Sequence, residues 1–301
     1  MSLTVIILTK NEERHIERAL ASVASIADRC LVVDSGSEDS TVEIASAQGA
    51  EVRINPFITQ AQQFNWALNQ LPEDTEWVLR LDADEIVTEP LATEIRKKLA
   101  GLPEETAGVY ISRRMNFLGQ KVRYGGLFPI RIIRLFRFGH GQCEDRWMDE
   151  HIVVDGPTVD FWGEIVDDNI NSLTWWTQKH NAYASREVVD ILNAELKFMP
   201  TNTIADLRGG QASIKRWVKE RIYSRLPGGV RALLYFIYRF WFRLGFLDGK
   251  RGAIFHVLQG YWYRYLVDAK LFEVRRHMKM TGDSAEVAIK LVLDIDVSNS
   301  R

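Results

Sequence analysis

Three times in its first 85 residues the chain follows a short apolar run with a polar, acid-bearing cluster. Val5-Ile6-Ile7-Leu8 runs into Thr9-Lys10-Asn11-Glu12. Leu31-Val32-Val33 runs into Asp34-Ser35-Gly36-Ser37, and Trp77-Val78-Leu79-Arg80-Leu81 into Asp82-Ala83-Asp84-Glu85. Continuous apolar runs of this length are strands buried on both faces. The stretches between them carry helical spacing. Ile16, Leu20, Val23 and Ile26 share one helix face, 41–48 reads as a helix stopped by Gly49, and 64–71 and 89–99 read as two more. Asn11 is expected to cap the first helix, with Glu12 and Glu13 in its first turn, where the helix dipole favours carboxylates. With a further strand at 52–54, this alternation builds a mostly parallel sheet covered by helices on both faces. In such α/β folds ligands collect beyond the carboxyl ends of the strands, which is where all three polar clusters fall.

The pattern changes after Gly108. Strands are expected at 109–112, 130–136 and 152–154, joined by irregular, Gly-rich connections, as a mixed second half of the same domain. A helix at 175–196 and a linker at 200–210 precede a basic, aromatic, helical remainder. The expected division is an α/β domain over 1–200 and a helical region over 201–301. Hydrophobic residues at 46% and charged residues at 26% exclude a disordered chain. The net charge of -2 conceals an asymmetry: 207–279 holds 16 Lys and Arg against 4 Asp and Glu. Such a segment calls for an anionic partner.

Within it, 231–247 reads as a helix with Arg231, Arg239 and Arg243 on one side and Leu, Phe, Ile and Trp on the other. This is the pattern of a helix lying in a membrane interface; the alternative is ordinary packing with the arginines solvated. A second aromatic helix is expected at 254–272. No nucleic-acid recognition module is present, so nucleic acid is not expected as a partner. No run reaches the roughly 18 apolar residues of a spanning helix, and the N-terminus has no basic leader, so neither a membrane span nor a signal peptide is expected. Cys30 and Cys143 form no C-x-x-C pair and suggest neither a zinc site nor a disulfide framework.

Asp82, Asp84 and Glu85 place three carboxylates within four residues. Packed together they repel, unless a cation separates them. A hard divalent ion, Mg2+ or Mn2+, takes oxygen ligands of this kind and bridges phosphates, stabilising a diphosphate leaving group. The competing reading is a solvated turn with a helix cap. Among Arg131, Arg134 and Arg137, one is a candidate to reach a phosphate. His151 and His180 read either as structural residues or as contacts to metal or diphosphate.

The segments VIILTKNEE, LVVDSGSEDST, FNWAL and WVLRLDADE, in this order, resemble the family 2 glycosyltransferases of the GT-A fold, a Rossmann-like nucleotide-diphospho-sugar transferase domain. The likeness is close over 2–85 and resumes in RIIRLFRFG, DEHIVVDG and QKHNAYA. It is similar to WaaE-like enzymes of lipopolysaccharide-core and exopolysaccharide assembly, and RLGFLDGKRG resembles the C-terminal segment of the same enzymes. The resemblance implies an inverting, metal-dependent transfer from a nucleotide sugar, a UDP-sugar, to a lipid-linked glycan acceptor, by an enzyme peripheral to an anionic membrane surface on the cytoplasmic face of the inner membrane. It implies that Thr9, Asn11 and Glu12 line the nucleoside pocket and that Asp34 accepts a hydrogen bond from the base. Asp82 and Asp84 then form the DxD element, Asp82 near ribose and phosphates and Asp84 on the metal. Glu150 takes the place of the catalytic base, with Asp149 as its rival.

Two alternatives remain at this point. A sugar nucleotidyltransferase shares the nucleotide-binding logic but carries a Gly-rich loop after its first strand, and TKNEE has no glycine. A non-catalytic nucleotide-sugar-binding scaffold at the membrane is the other.

Overall fold

The computed structural model describes residues 2–144, 151–199 and 228–297. They divide into two compact units, whose described parts are 2–144 with 151–171, and 172–199 with 228–297.

The first unit is built on a nine-stranded sheet. Its parallel half comprises β1 (Leu3–Thr9), β2 (Arg29–Asp34), β3 (Glu51–Ile54) and β4 (Trp77–Asp82), in the spatial order β3-β2-β1-β4. Interleaved with them are α1 (Ile16–Val23), α2 (Thr41–Ala47) and α3 (Gln60–Leu68). The apolar runs form strands because both faces are covered: Leu3, Val5, Ile7, Val32, Leu79 and Leu81 pack in one core cluster, and Ile6, Leu31, Val33, Phe64 and Val78 in another. Helix α1 buries Ile16, Ala19, Leu20 and Val23, the expected stripe. Helix α3 begins earlier than the apolar spacing suggests, because the Thr59 hydroxyl accepts from the Gln62 N–H and caps it.

Asn11 does not cap α1. It sits in the left-handed region (φ 55), and the helix begins at Ile16 with no side-chain cap. The polar atoms of Asn11 are instead committed to the loop after β2.

The second half of the sheet continues past β4 as β8-β6-β11-β5, with β7 beside β6. These are β5 (Glu85–Val87), β6 (Gly108–Phe117), β7 (Gln120–Val122), β8 (Ile130–Arg137) and β11 (Thr158–Asp167); α4 (Glu89–Lys98) lies between β5 and β6 in sequence. A separate two-stranded ribbon pairs β9 (Gly141–Cys143) with β10 (Ile152–Val154). Strand β11 had no clear sequence signal. Its register on β6 shifts between Asp160 and Glu164, and Trp162 there is exposed. The bulge brings Gly163 against α4, where a Cβ would lie 2.3 Å from the Leu91 backbone.

The second unit is helical. It contains α5 (Leu173–Leu196), α6 (Val230–Ile237), α7 (Gly249–Phe255), α8 (Tyr263–Thr281) and α9 (Ala285–Leu293). Its core joins Ala184, Val188 and Leu192 of α5 to Val267, Leu271 and Val274 of α8 and Ile289 of α9. The continuous helix expected over 231–247 is broken. A π-helical turn occupies Tyr238–Phe242, and Leu244 is left-handed (φ 59). The change of phase alters which side each arginine takes. Arg239 turns inward, 2% exposed, against the rings of Tyr235 and Phe255. Arg231 pairs with Asp268. The single arginine face read from the sequence therefore does not form; of the three, only Arg243 is exposed.

Candidate active site

Register places the three polar clusters at one end of the sheet. Leu8 of β1 pairs with Asp82 of β4, and the next residue, Thr9, pairs with Asp34 of β2. Strand order reverses around β1, since β2 lies on one side and β4 on the other. This is the switch-point crevice of an open α/β sheet.

On the β2 side, Asp34 is fully buried. Its Oδ2 accepts from the hydroxyls of Thr9 (2.7 Å) and Ser37 (2.6 Å). Its Oδ1 accepts the N–H groups of Gly36 (2.8 Å) and Ser37 (2.6 Å). Gly36 adopts φ +85, a turn that glycine makes without Cβ strain. Burial pushes the Asp34 carboxyl up, but the bonds from Ser37, Thr9 and Gly36 outweigh it and hold the group below the usual range. All four lone-pair directions of this carboxylate are thus in use within the protein.

The loops after β1 and β2 are stitched together. Asn11 donates its N–H to Ser37 Oγ (2.7 Å) and accepts the Glu38 N–H through Oδ1 (2.8 Å). Glu12 donates its N–H to Thr41 Oγ1 (2.7 Å), while its carboxylate meets His15 Nδ1 at 2.7 Å. His15 is buried, and its Nε2 accepts the Ile170 N–H at 3.0 Å. An accepting Nε2 fixes the neutral tautomer with the proton on Nδ1, donated to Glu12. Thr9, Asn11, Glu12 and Asp34 therefore belong to one connected polar wall.

On the β4 side, the carboxylate repulsion read from the sequence is relieved by arginines. Arg134 of β8 donates from Nη2 to Asp82 Oδ2 (2.7 Å) and to Glu85 Oε1 (2.9 Å). Arg113 of β6 donates to Glu85 Oε1 (2.7 Å) and to Asp167 Oδ2 (2.6 Å). Arg80 of β4 stands 3.6 Å from Asp82 Oδ1. Burial pushes the Asp82 carboxyl up, yet Arg134, Arg80 and Arg113 overcome this and hold it far below the usual range. Burial likewise opposes the charge on Arg113, and Asp167, Glu85, Asp82 and Asp84 outweigh it. Asp82 and Glu85 thus coexist without a metal ion.

Asp84 differs. Its Oδ2 accepts from Asn169 Nδ2 (2.9 Å), and no ion pair among the described residues involves it. The one hydrogen bond its side chain accepts among those residues is that from Asn169, and the buried Asp82 Oδ1 has no hydrogen-bond partner among them. No cluster of three or more His, Cys, Asp or Glu able to cage a metal is present among the described residues. Mg2+ and Mn2+ sites that rely on one or two carboxylates and complete their shell with substrate phosphates and water need no such cage. The chemistry of Asp84, with Asp82 Oδ1 as a second oxygen, fits that kind of ion.

Asp149 and Glu150 lie outside the described residues. His180 is stacked on Trp176, with ring centroids 3.5 Å apart, and donates from Nδ1 to the Trp176 carbonyl (2.9 Å). Arg131 pairs with Asp160, and Arg137 lies over the Trp77 ring. The sequence reading missed Arg80, Arg113, His15 and Asn169. Arg113 sits on a strand far in sequence from the carboxylates it meets, and nothing local marks its target; Arg80 lies two residues before Asp82 on β4, where period 2 puts both on one face.

A family model described as Glycosyl transferase family 2 matches residues 4–148. An uncharacterized glycosyltransferase of Rickettsia typhi is 32% identical over 208 residues, a match covering 65% of this chain and 70% of that protein. Another, from Rickettsia bellii, is 43% identical over 93 residues, 31% of each chain. Among solved structures, glucosyl-3-phosphoglycerate synthase from Mycobacterium tuberculosis in complex with Mn2+, UDP and glucosyl-3-phosphoglycerate is similar at 22% identity. That likeness covers 38% of this chain and 44% of that one, with a TM-score of 0.31.

Proposed function

The chain belongs to glycosyl transferase family 2, and on that premise we propose that it moves a sugar from a uridine diphosphate donor to a hydroxyl of a lipid-linked glycan, inverting the anomeric centre. The observation that carries this reading is the adjacency of the Leu8–Asp82 and Thr9–Asp34 register pairs, which sets the polar wall beside the DxD carboxylates.

In this reading Thr9, Asn11, Glu12 and Asp34 receive the nucleoside. The Asp34 Oδ2 bonds come from two hydroxyls, which rotate, so a base N–H replaces one of them without unfolding the turn. Asp84 holds the divalent ion, with Asp82 beside it. A bound Mg2+ or Mn2+ supplies positive charge that stabilises the departing diphosphate. Arg134 and Arg113 hold the Asp82 and Glu85 carboxylates in place through direct hydrogen bonds, so the site needs little reorganisation when the leaving group gains charge. Glu150, with Asp149 as its rival, takes the proton from the acceptor hydroxyl as the new bond forms.

The same proposal places the protein on the cytoplasmic face of the inner membrane, in cell-surface polysaccharide or lipopolysaccharide synthesis. The support lies in the second unit. Trp241 is 58% exposed, Phe242 75% and Leu247 51%, beside exposed Arg243, Lys250 and Arg251. The neighbouring acid, Asp248, is buried. Apolar side chains with a cationic rim match an anionic lipid surface. No described helix is long and apolar enough to cross a membrane.

The deciding experiment is a thermal-shift screen of nucleotides and sugar nucleotides with and without Mn2+. UDP with Mn2+ is expected to raise the melting temperature more than either alone, because ligand binding stabilises the folded state by mass action. No shift with any nucleoside diphosphate overturns the reading.

A further inference from the structure

Segment 167–171, the last residue of β11 and the four beyond it, touches both halves of the site, and its hydrogen bonds sort by destination. Toward the turn between β4 and β5, the Asp168 N–H donates to the Asp84 carbonyl and Asn169 Nδ2 donates to Asp84 Oδ2, both at 2.9 Å. Toward the loop after β1, the Ile170 N–H donates to His15 Nε2 at 3.0 Å, and His15 carries the link on to Glu12. The segment is anchored by Arg18 and Asn116 on Asp168 and by Arg113 on Asp167. The orientation of the Asn169 amide is settled by its own turn: Oδ1 accepts the Asn171 N–H at 3.0 Å, so the NH2 end faces Asp84.

We propose that Asn169 is a positioning residue that holds the Asp84 carboxylate ready for a divalent cation. The inference rests on the metal reading of Asp84. A pinned Oδ2 removes rotamer freedom that cation binding otherwise has to freeze out. The chemistry of the donor matters as much as its position. Arg134 holds Asp82 through an ion pair, whereas a neutral amide orients Asp84 without one. The two carboxylates of the DxD element are thus held by different devices, Asp82 by an ion pair and Asp84 by a neutral amide.

The test is a Mn2+ titration of the full chain, read by the loss of the free-ion electron paramagnetic resonance signal, in the presence of UDP. Wild type is compared with Asp84→Ala, Asn169→Ala and Asn169→Ser. Serine keeps a side-chain oxygen for the Asn171 N–H, and so the turn, but is too short to reach Asp84. Both Asn169 variants are expected to weaken Mn2+ binding about 10–100-fold, with UDP affinity in chelator unchanged. Wild-type Mn2+ affinity in Asn169→Ser, alongside its loss in Asp84→Ala, overturns the positioning role. Wild-type affinity in Asp84→Ala overturns the metal reading and this inference with it.

Discussion

Arg134 bonds both Asp82 and Glu85 through a single nitrogen, at 2.7 and 2.9 Å, from a side chain 8% exposed. One guanidinium on β8 thereby locks the end of β4 to the start of β5.

Removing that cation leaves Glu85 to Arg113 and Asp82 to Arg80 alone, with the bridge between the two carboxylates gone. Arg134→Met is expected to destabilise the fold by about 3–5 kcal/mol, as for other buried pairs that lose one partner. The sign of the pH dependence follows. In the wild type the depressed Asp82 adds stability above the ordinary carboxyl range, lost only in strong acid. In the variant Asp82 loses the first of the cations that hold its carboxyl down and retains Arg80 at 3.6 Å, so it takes a proton more readily and the deficit in melting temperature shrinks as pH falls from 7 toward 4. An equal deficit at both values contradicts this account.

Asp34→Asn replaces one accepting oxygen with an amide. The hydroxyls of Thr9 and Ser37 rotate to accept from it, while the Gly36 and Ser37 N–H groups keep an oxygen. The expected cost is about 1–2 kcal/mol, with UDP binding weakened. Because the Asp34 carboxyl is held below its usual range, its contribution is present above that range and fades as pH falls through the folded value. The difference between variant and wild type in urea denaturation is therefore largest at neutral pH.

Asp84→Ala and Glu150→Gln separate metal from proton transfer. Asp84→Ala is expected to abolish metal-dependent transfer while the melting temperature stays near wild type, since among the described residues the side chain accepts one hydrogen bond, from Asn169. Glu150→Gln is expected to lower turnover by about 100-fold or more with donor affinity retained. Wild-type turnover in Glu150→Gln, measured by radiolabelled sugar transfer, moves the base to Asp149.

His180 makes the second unit sensitive to acid. Burial, against the hydrogen bond to the Trp176 carbonyl, pushes its pKa down to about 4, whereas the unfolded chain titrates near ~6.5. Below about 6.5 the unfolded state takes the proton first, so stability falls until about pH 4 and then levels. His180→Phe is expected to flatten the melting-temperature profile over that window; an unchanged slope assigns it to other groups.

For membrane attachment, Trp241→Ser combined with Phe242→Ser is expected to reduce co-sedimentation with phosphatidylglycerol vesicles. Arg243→Ser is expected to weaken it at low salt and to flatten its salt dependence. Equal sedimentation of the aromatic variant and wild type removes this surface from the proposal.

The sequence by itself determined the parallel half of the sheet. Runs such as Val5–Leu8 and Trp77–Leu81 are apolar enough that only a doubly covered strand hides them, and strand-end chemistry then puts Thr9, Asp34 and Asp82 at one edge. Local signals failed where a neighbour decides the outcome. Strand β11 is held by β6 and shaped around α4 at Gly163. The helix expected over 231–247 is interrupted by a π-helical turn whose Arg239 points inward. Tertiary structure alone decided how the carboxylates are compensated. Three residues in four read as a charge cluster awaiting an ion, yet Arg113 and Arg134 arrive from β6 and β8 to compensate Asp82 and Glu85, and Asn169 arrives from beyond β11 to orient Asp84. Hydrophobic period is a property of a segment and is written locally; charge compensation depends on distance in space, which the chain sets only once the sheet has closed.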